Sequence, residues 1–238
     1  KDGGARRVVD LSALTKVCAR EIHHTRSPFK VACSIPANTL KTTLDCKDGY
    51  HGVEIQEKDR DKTSFLTEWG CYRYRRCPQG LAVSGDGYTK RTDEILSSTP
   101  DKPGMTDMEK IVDDVCQWSD TMTEAFRRVC NILSHASKNG MVFNPSKFKF
   151  AKTEVEFAGL MIGANNIRPT DSYKEAILNF PAPTCVSEIR SWFGLINQVA
   201  YCFSVSMIMA PFRDLLKTKP PAMFLSLIHI SEPTRQAS

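Results

Sequence analysis

Two adjacent aspartates, Asp113 and Asp114, sit between apolar residues in the stretch Ile111-Val112-Asp113-Asp114-Val115-Cys116, and a third, Asp45, follows Leu44 far upstream. Successive residues of a strand point to opposite faces, so a flanked doublet of this kind predicts a tight hairpin presenting both carboxylates near one spot. Three carboxylates gathered together are hard oxygen donors, the type that holds Mg²⁺ around phosphate groups. An acidic surface turn is the plain alternative, because Asp-Asp is a common dipeptide.

The elements that must position these acids are legible in part. The pattern over 41–55 predicts strand, turn, strand, broken at Asp48-Gly49 and Gly52. The stretch 63–76 predicts a hairpin in which Phe65, Tyr72 and Tyr74 make an aromatic face against Arg73 and Arg75. A helix is expected over 85–98 with Tyr88, Ile95 and Leu96 inward, followed by a loop at Ser97 to Gly104. The strongest helix signal covers 121–138, where Met122, Phe126, Val129, Leu133 and Ala136 form an apolar stripe and Thr121 with Glu124 has capping-box spacing. Phe148 and Phe150 alternate with Lys147 and Lys149, and Val155, Phe157, Leu160 and Ile162 continue toward a further hairpin. Helices are expected over 169–180 and 184–203. Strands early, helices late and one long amphipathic helix between them give an α+β architecture.

With 238 residues and 41% hydrophobic content, the chain can bury a core in one large or two small domains. A net charge of +5 permits a polyanion partner without demanding one. Nine scattered cysteines, odd in number and without a Cys-x-x-Cys, read as reduced thiols of an intracellular protein. Adjacent rings at His23 and His24 would diverge on a strand and have no cysteine pair at finger spacing, which argues against zinc. No apolar run is long enough to span a bilayer, so no membrane partner is expected. There is no initiating Met, and the reading is of a piece of something longer. The stretch from Leu225 to Arg235 resembles a translated sequencing-library adapter, so the tail after about Phe224 is expected to carry no structure of its own.

Around Asp45 the chain runs Leu44-Asp45-Cys46-Lys47-Asp48-Gly49-Tyr50-His51; then come Cys77-Pro78-Gln79-Gly80, the doublet, Asn144-Pro145-Ser146-Lys147 and Phe157-Ala158-Gly159-Leu160. In this order the segments resemble the palm motifs of a reverse transcriptase from a gypsy-type LTR retrotransposon, and the likeness covers nearly everything up to about Lys217. The resemblance implies a right-hand polymerase of fingers, palm and thumb, its antiparallel palm sheet packed on helices. Residues 1–165 would be fingers and palm with the fingers incomplete, 166–217 a helical thumb or connection, and 218–238 a disordered tail.

It also implies the chemistry. RNA-directed DNA polymerisation adds dNTPs to a primer 3′-hydroxyl along an RNA or DNA template, using two Mg²⁺ ions with Mn²⁺ as a substitute. By resemblance Asp45 and Asp113 would bridge both ions and Asp114 would assist one. Lys147, with Lys149 behind it, would protonate the leaving pyrophosphate. Arg6, with Arg7 as fallback, would grip the incoming triphosphate, and Asp48 and Gly49 would offer it backbone N–H groups. Tyr50 would lie under the sugar and reject a 2′-hydroxyl, or else be a core tyrosine; Gln79 would sit near the sugar 3′-OH. Arg73, Arg75 and Arg76 are candidates for nucleic-acid phosphates, and Phe157 and Gly159 belong to a hairpin similar to the primer grip. RNase H and integrase domains of a parent polyprotein would be further partners absent from this stretch, and the expected setting is a cytoplasmic retroelement particle, with a nuclear stage as the alternative.

The chain departs from the pattern in places. Ile111 stands where an aromatic is usual, and Ser12 replaces an arginine. The strand before the doublet reads Thr106-Asp107-Met108-Glu109-Lys110, and burying three charges in a sheet is costly unless they are paired, which predicts a shortened or exposed strand. That polar strand motivates a rival reading, a decayed element that keeps the fold and at most binds nucleic acid.

Overall fold

A computed structural model describes residues 9–19, 23, 26–47, 49–100, 107–201 and 206–216. Two compact units divide the chain, one of Lys1–Ala158 with Ile162–Ile167, the other of Gly159–Met161 with Arg168–Ser238. In chain order the first unit holds α1 (Ser12–Val17), α2 (Pro28–Ser34), β1 (Leu40–Asp45), α3 (Glu57–Arg60), β2 (Phe65–Thr67), β3 (Gly70–Tyr72), α4 (Ala82–Ser97), β4 (Met108–Ile111), β5 (Asp114–Ser119), α5 (Met122–Lys138), β6 (Lys149–Lys152) and β7 (Val155–Phe157). The chain then runs through β8 (Leu160–Ile162) and β9 (Ile167–Pro169) into α6 (Asp171–Leu178), α7 (Val186–Gln198) and α8 (Ser206–Leu215).

The central sheet has the order β4-β5-β1-β6, and its pairs are antiparallel. β1, with a neighbour on each side, is buried from Lys41 to Leu44. Helices α4 and α5 cover the sheet through a core of Leu44, Leu96, Val115, Ile132 and Ala136. α4 starts at Ala82, earlier than its glycines suggest, and turns Tyr88, Ile95 and Leu96 inward as expected. α5 has the expected bounds, with the Thr121 hydroxyl accepting from the Glu124 N–H at 3.3 Å.

The stripe assigned to α5 needs correction. Its buried residues are Ala125, Arg128, Val129, Ile132 and Ala136, while Met122, Phe126 and Leu133 are exposed. Rotation by about one position separates the two sets. Arg128 is drawn inward because its guanidinium donates to the Trp118 carbonyl at 2.9 Å and pairs with Asp107 at 2.9 Å. Phe126 packs edge-on against Phe150 instead, 6.4 Å between centroids.

β4, expected to be short or exposed, is instead buried along its whole length. Each of its charges has a partner: Glu109 pairs with Arg26 and accepts from the Ser34 hydroxyl at 3.2 Å, and Lys110 pairs with Asp93 at 3.0 Å. Asp107, just before the strand, meets Arg128. Pairing offsets the desolvation cost that predicted exposure. A buried charge unforeseen in the sequence is Lys41, whose ammonium donates to the carbonyls of Thr39 (3.1 Å) and Thr153 (3.4 Å); burial lowers its pKa.

The hairpin expected over 63–76 is present in a shorter form, β2-β3, with Phe65 stacked on Tyr72. In the second unit, Ile189 is buried with Phe193, Phe212 and Leu216 packed against it. The tail after Leu216 and the loop 101–106 lie outside the described residues.

Candidate active site

The doublet does form a hairpin. Ile111 pairs with Asp114 across β4 and β5, leaving Val112 and Asp113 as a two-residue turn. Such turns require positive φ, and Val112 adopts +53°, a conformation that a β-branched side chain rarely takes. Asp114 opens β5 and stands opposite Asp45, the last residue of β1. The Cys46 N–H donates to the Asp113 carbonyl at 2.8 Å, so the turn is tied to the end of β1. Residues remote in sequence thus meet at one end of the central sheet.

The electrostatics there are unfavourable to negative charge. Burial raises the Asp114 pKa, and the charges of Asp45 and Asp113 push it further; the Ala158 N–H and Lys147 work in the other direction. The Asp113 Oδ1 is buried without a hydrogen-bond partner. Lys147 sends its Nζ to the Asp45 Oδ1 at 2.9 Å, and that hydrogen bond, with the charges of all three aspartates, raises the ammonium's pKa. It stands as a cation against the acid cluster.

Among the described residues, no three His, Cys, Asp or Glu side chains converge into a ready-made metal cage. The donor set nonetheless suits a hard divalent cation: one carboxyl already holds an ammonium, a second is disfavoured as an anion, and a third has an orphaned oxygen.

Gly49 is required where it is. A Cβ on it would come within 2.6 Å of the Tyr88 ring and 2.7 Å of the Asp113 Oδ1. Tyr88 is buried, and its hydroxyl, also without a partner, lies beside Asp113 and Cys46. Burial, reinforced by these neighbours, keeps the phenol protonated, and burial pushes the Cys46 thiol up to about 11. In the sequence Tyr88 was only an inward helix residue; nothing in its spacing places it by the doublet.

Of the remaining candidates, Tyr50 is half-buried and packs edge-on against Tyr88, 5.5 Å between centroids. Gln79 is exposed in the turn before α4, and no contact brings it to the acids. Arg73 pairs with Asp61, Arg76 pairs with Glu54 at 3.2 Å and donates to the His51 and Gly52 carbonyls, and Arg75 is exposed. Phe157 is buried at the end of β7, where Ala158 and Gly159 turn the chain with φ of +49° and +80°. That turn supplies the Ala158 N–H to Asp114, a contact the sequence did not announce. Arg6, Arg7 and Asp48 lie outside the described residues, and Lys149 is exposed on the edge strand β6.

Residues 1–162 match the family model described as "Reverse transcriptase (RNA-dependent DNA polymerase)". The chain is 27% identical over 213 residues to the retrovirus-related Pol polyprotein from transposon gypsy of Drosophila melanogaster, covering 89% of this chain and 20% of that polyprotein. It is 24% identical over 218 residues to the transposon Tf2-3 polyprotein of Schizosaccharomyces pombe, covering 91% of this chain and 16% of that polyprotein. The chain therefore spans about a fifth or less of these relatives.

Among solved structures, it resembles the foamy viral protease-reverse transcriptase in complex with double-stranded DNA, with a TM-score of 0.83, 23% identity and coverage of 95% of this chain and 41% of that one. The same viral protein in complex with an RNA/DNA hybrid gives a TM-score of 0.79 at 21% identity, covering 94% and 31%. These likenesses establish the α+β fold. The adapter reading of the tail is not borne out by any of these comparisons, and among the described residues no helix is long and apolar enough to cross a membrane.

Proposed function

The chain belongs to the reverse transcriptase family, and from that premise we propose that it extends a primer 3′-hydroxyl with deoxynucleotides, copying an RNA or DNA template. The observation that carries this reading is the meeting of Asp45 and Asp114 across β1 and β5, with the unpartnered Asp113 oxygen beside them. Asp45, Asp113 and Asp114 would hold two divalent ions, Mg²⁺ with Mn²⁺ as substitute. When bound, these would favour the 3′-alkoxide and offset charge on the pyrophosphate.

The chain's own residues do the rest. Lys147 keeps a proton on Nζ, held there by Asp45, and would deliver it to the leaving group once that aspartate engages elsewhere. Gly49 lets its loop pack against the Tyr88 ring and the Asp113 carboxylate, where no side chain fits, and its backbone N–H, with Asp48 and Arg6, would serve the triphosphate. Tyr50, held edge-on by Tyr88, is the ring that would exclude a ribose 2′-OH, and Gln79 would meet the sugar. The turn at Phe157 and Gly159 would seat the primer end close to Asp114, while the exposed Arg75, with Arg73 and Arg76, would contribute phosphate contacts. Residues 166–217 would serve as thumb. RNase H and integrase functions of a parent polyprotein, and a retroelement particle as the setting, belong to the same reading.

A primer-extension assay on an RNA template with Mg²⁺ tests it. Incorporation of dNTPs that falls at least ~100-fold in Asp113→Asn, with folding retained, is expected. A folded chain that binds template yet incorporates nothing, repeated in the intact parent polyprotein, would establish the remnant reading instead. The charges of the polar β4 that motivated that rival are paired.

A further inference from the structure

Behind the loop that carries Gly49, the first unit contains a cavity of about 420 Å³ that shares only this glycine with the nucleotide-binding candidates. Its floor is apolar and buried, formed by Cys46, Tyr88, Ile95 and Met141. Four basic side chains line it as well: Lys47, His51, Arg76 and Arg91. No carboxylate is among the described residues that line it.

The basic groups are unequally committed. Arg76 is fixed by Glu54 and by two backbone carbonyls, whereas Arg91 meets Glu94 at only 3.7 Å. Lys47 and His51 have no ion-pair partner among the described residues and are exposed. A concave apolar pocket with a few converging polar groups is the usual form of a small-molecule site. Among the described residues that line it, the charged side chains are all basic. The ligand that satisfies both surfaces has an apolar body to cover the floor and one anionic head for the basic side chains.

We propose that this cavity binds a small amphiphilic anion, a carboxylate, sulfonate or phosphate monoester on an apolar body, through Arg91, His51 and Lys47 over the floor of Tyr88, Ile95 and Met141. The proposal does not depend on polymerase activity. Because Cys46 adjoins Asp45 and Tyr88 lies beside Asp113, an occupant would rest on the back of the wall that carries the acids.

The test is fluorescence titration of the purified chain with 1-anilinonaphthalene-8-sulfonate, paired with its uncharged analogue N-phenyl-1-naphthylamine. The expected result is one sulfonate per chain, bound ~5-fold more weakly in each of Arg91→Glu and His51→Glu and retained in Arg91→Lys. Phe126→Ser, on the exposed aromatic ridge of α5, should leave the affinity unchanged, and the uncharged dye should bind less tightly. Both acidic variants alter exposed side chains, and thermal melting confirms that they fold. Displacement by decanoate identifies simple amphiphiles as ligands, and displacement by dAMP identifies nucleotides. The proposal is overturned if the acidic variants bind the dye as tightly as the parent, if Phe126→Ser abolishes binding, if the uncharged dye binds equally well, or if neither competitor displaces the sulfonate.

Discussion

At Asp114 burial and the charge of Asp45 press in the same direction, toward a protonated carboxyl. A carboxyl whose pKa is raised on folding binds its proton more tightly in the native state than in the unfolded chain. The ionised group therefore costs stability at neutral pH, and the cost fades as pH falls through the folded value toward the unfolded one near 3.8. In chelator at pH 7, Asp114→Asn is expected to stabilise the protein, on the order of 1 kcal/mol, while lowering nucleotide incorporation. Thermal melts of parent and variant at pH 7 and pH 4 check this, since the advantage should shrink at the lower pH. A destabilised Asp114→Asn at neutral pH would mean that the carboxylate is already compensated by the protein.

The central sheet tolerates a strand as polar as β4 because other elements bring it counter-charges. Asp93, on α4, receives Lys110 at 3.0 Å and His23 at 2.7 Å, and the Lys110 side chain is only 1% exposed. Removing one partner of a buried pair leaves the other uncompensated in a low dielectric, a loss of about 3–5 kcal/mol. Asp93→Ala is therefore expected to cost that much in urea unfolding, and Asp93→Ala with Lys110→Met to recover most of it. An Asp93→Ala change within 0.5 kcal/mol of the parent would show that Lys110 reaches water after all. The same logic explains the misread stripe of α5. Helical periodicity finds apolar residues at the correct spacing on two adjoining faces; the one that packs carries Ala125, Val129, Ile132 and Ala136, and Arg128 goes inward with it to meet Asp107 and the Trp118 carbonyl.

For the whole molecule, a net charge of +5 is modest, and two arginines near the β2-β3 hairpin, Arg73 and Arg76, are already engaged with acids. On the proposed function, binding of an RNA–DNA duplex is expected to weaken roughly 10³-fold between 50 mM and 200 mM salt, as for about six phosphate contacts. Arg75→Glu should make that slope shallower; a salt-independent affinity would exclude phosphate-led binding. Much of this molecule was legible in its residues: the doublet hairpin from an acidic pair flanked by apolar residues, and the capped α5, the inward face of α4 and the α+β class from capping and periodicity, which act between neighbours a few residues apart. What separates a costly strand from a stable one was not legible, because Arg26, Asp93 and Arg128 meet β4 from other parts of the chain. Nor was the crowding of Gly49, Tyr88 and Asp113, or the approach of Ala158 to Asp114. The sequence by itself determined which groups could do the chemistry and which short elements carry them. Tertiary structure alone decided which charges are compensated and which remain orphaned, since those depend on distances between residues that the chain's order does not contain.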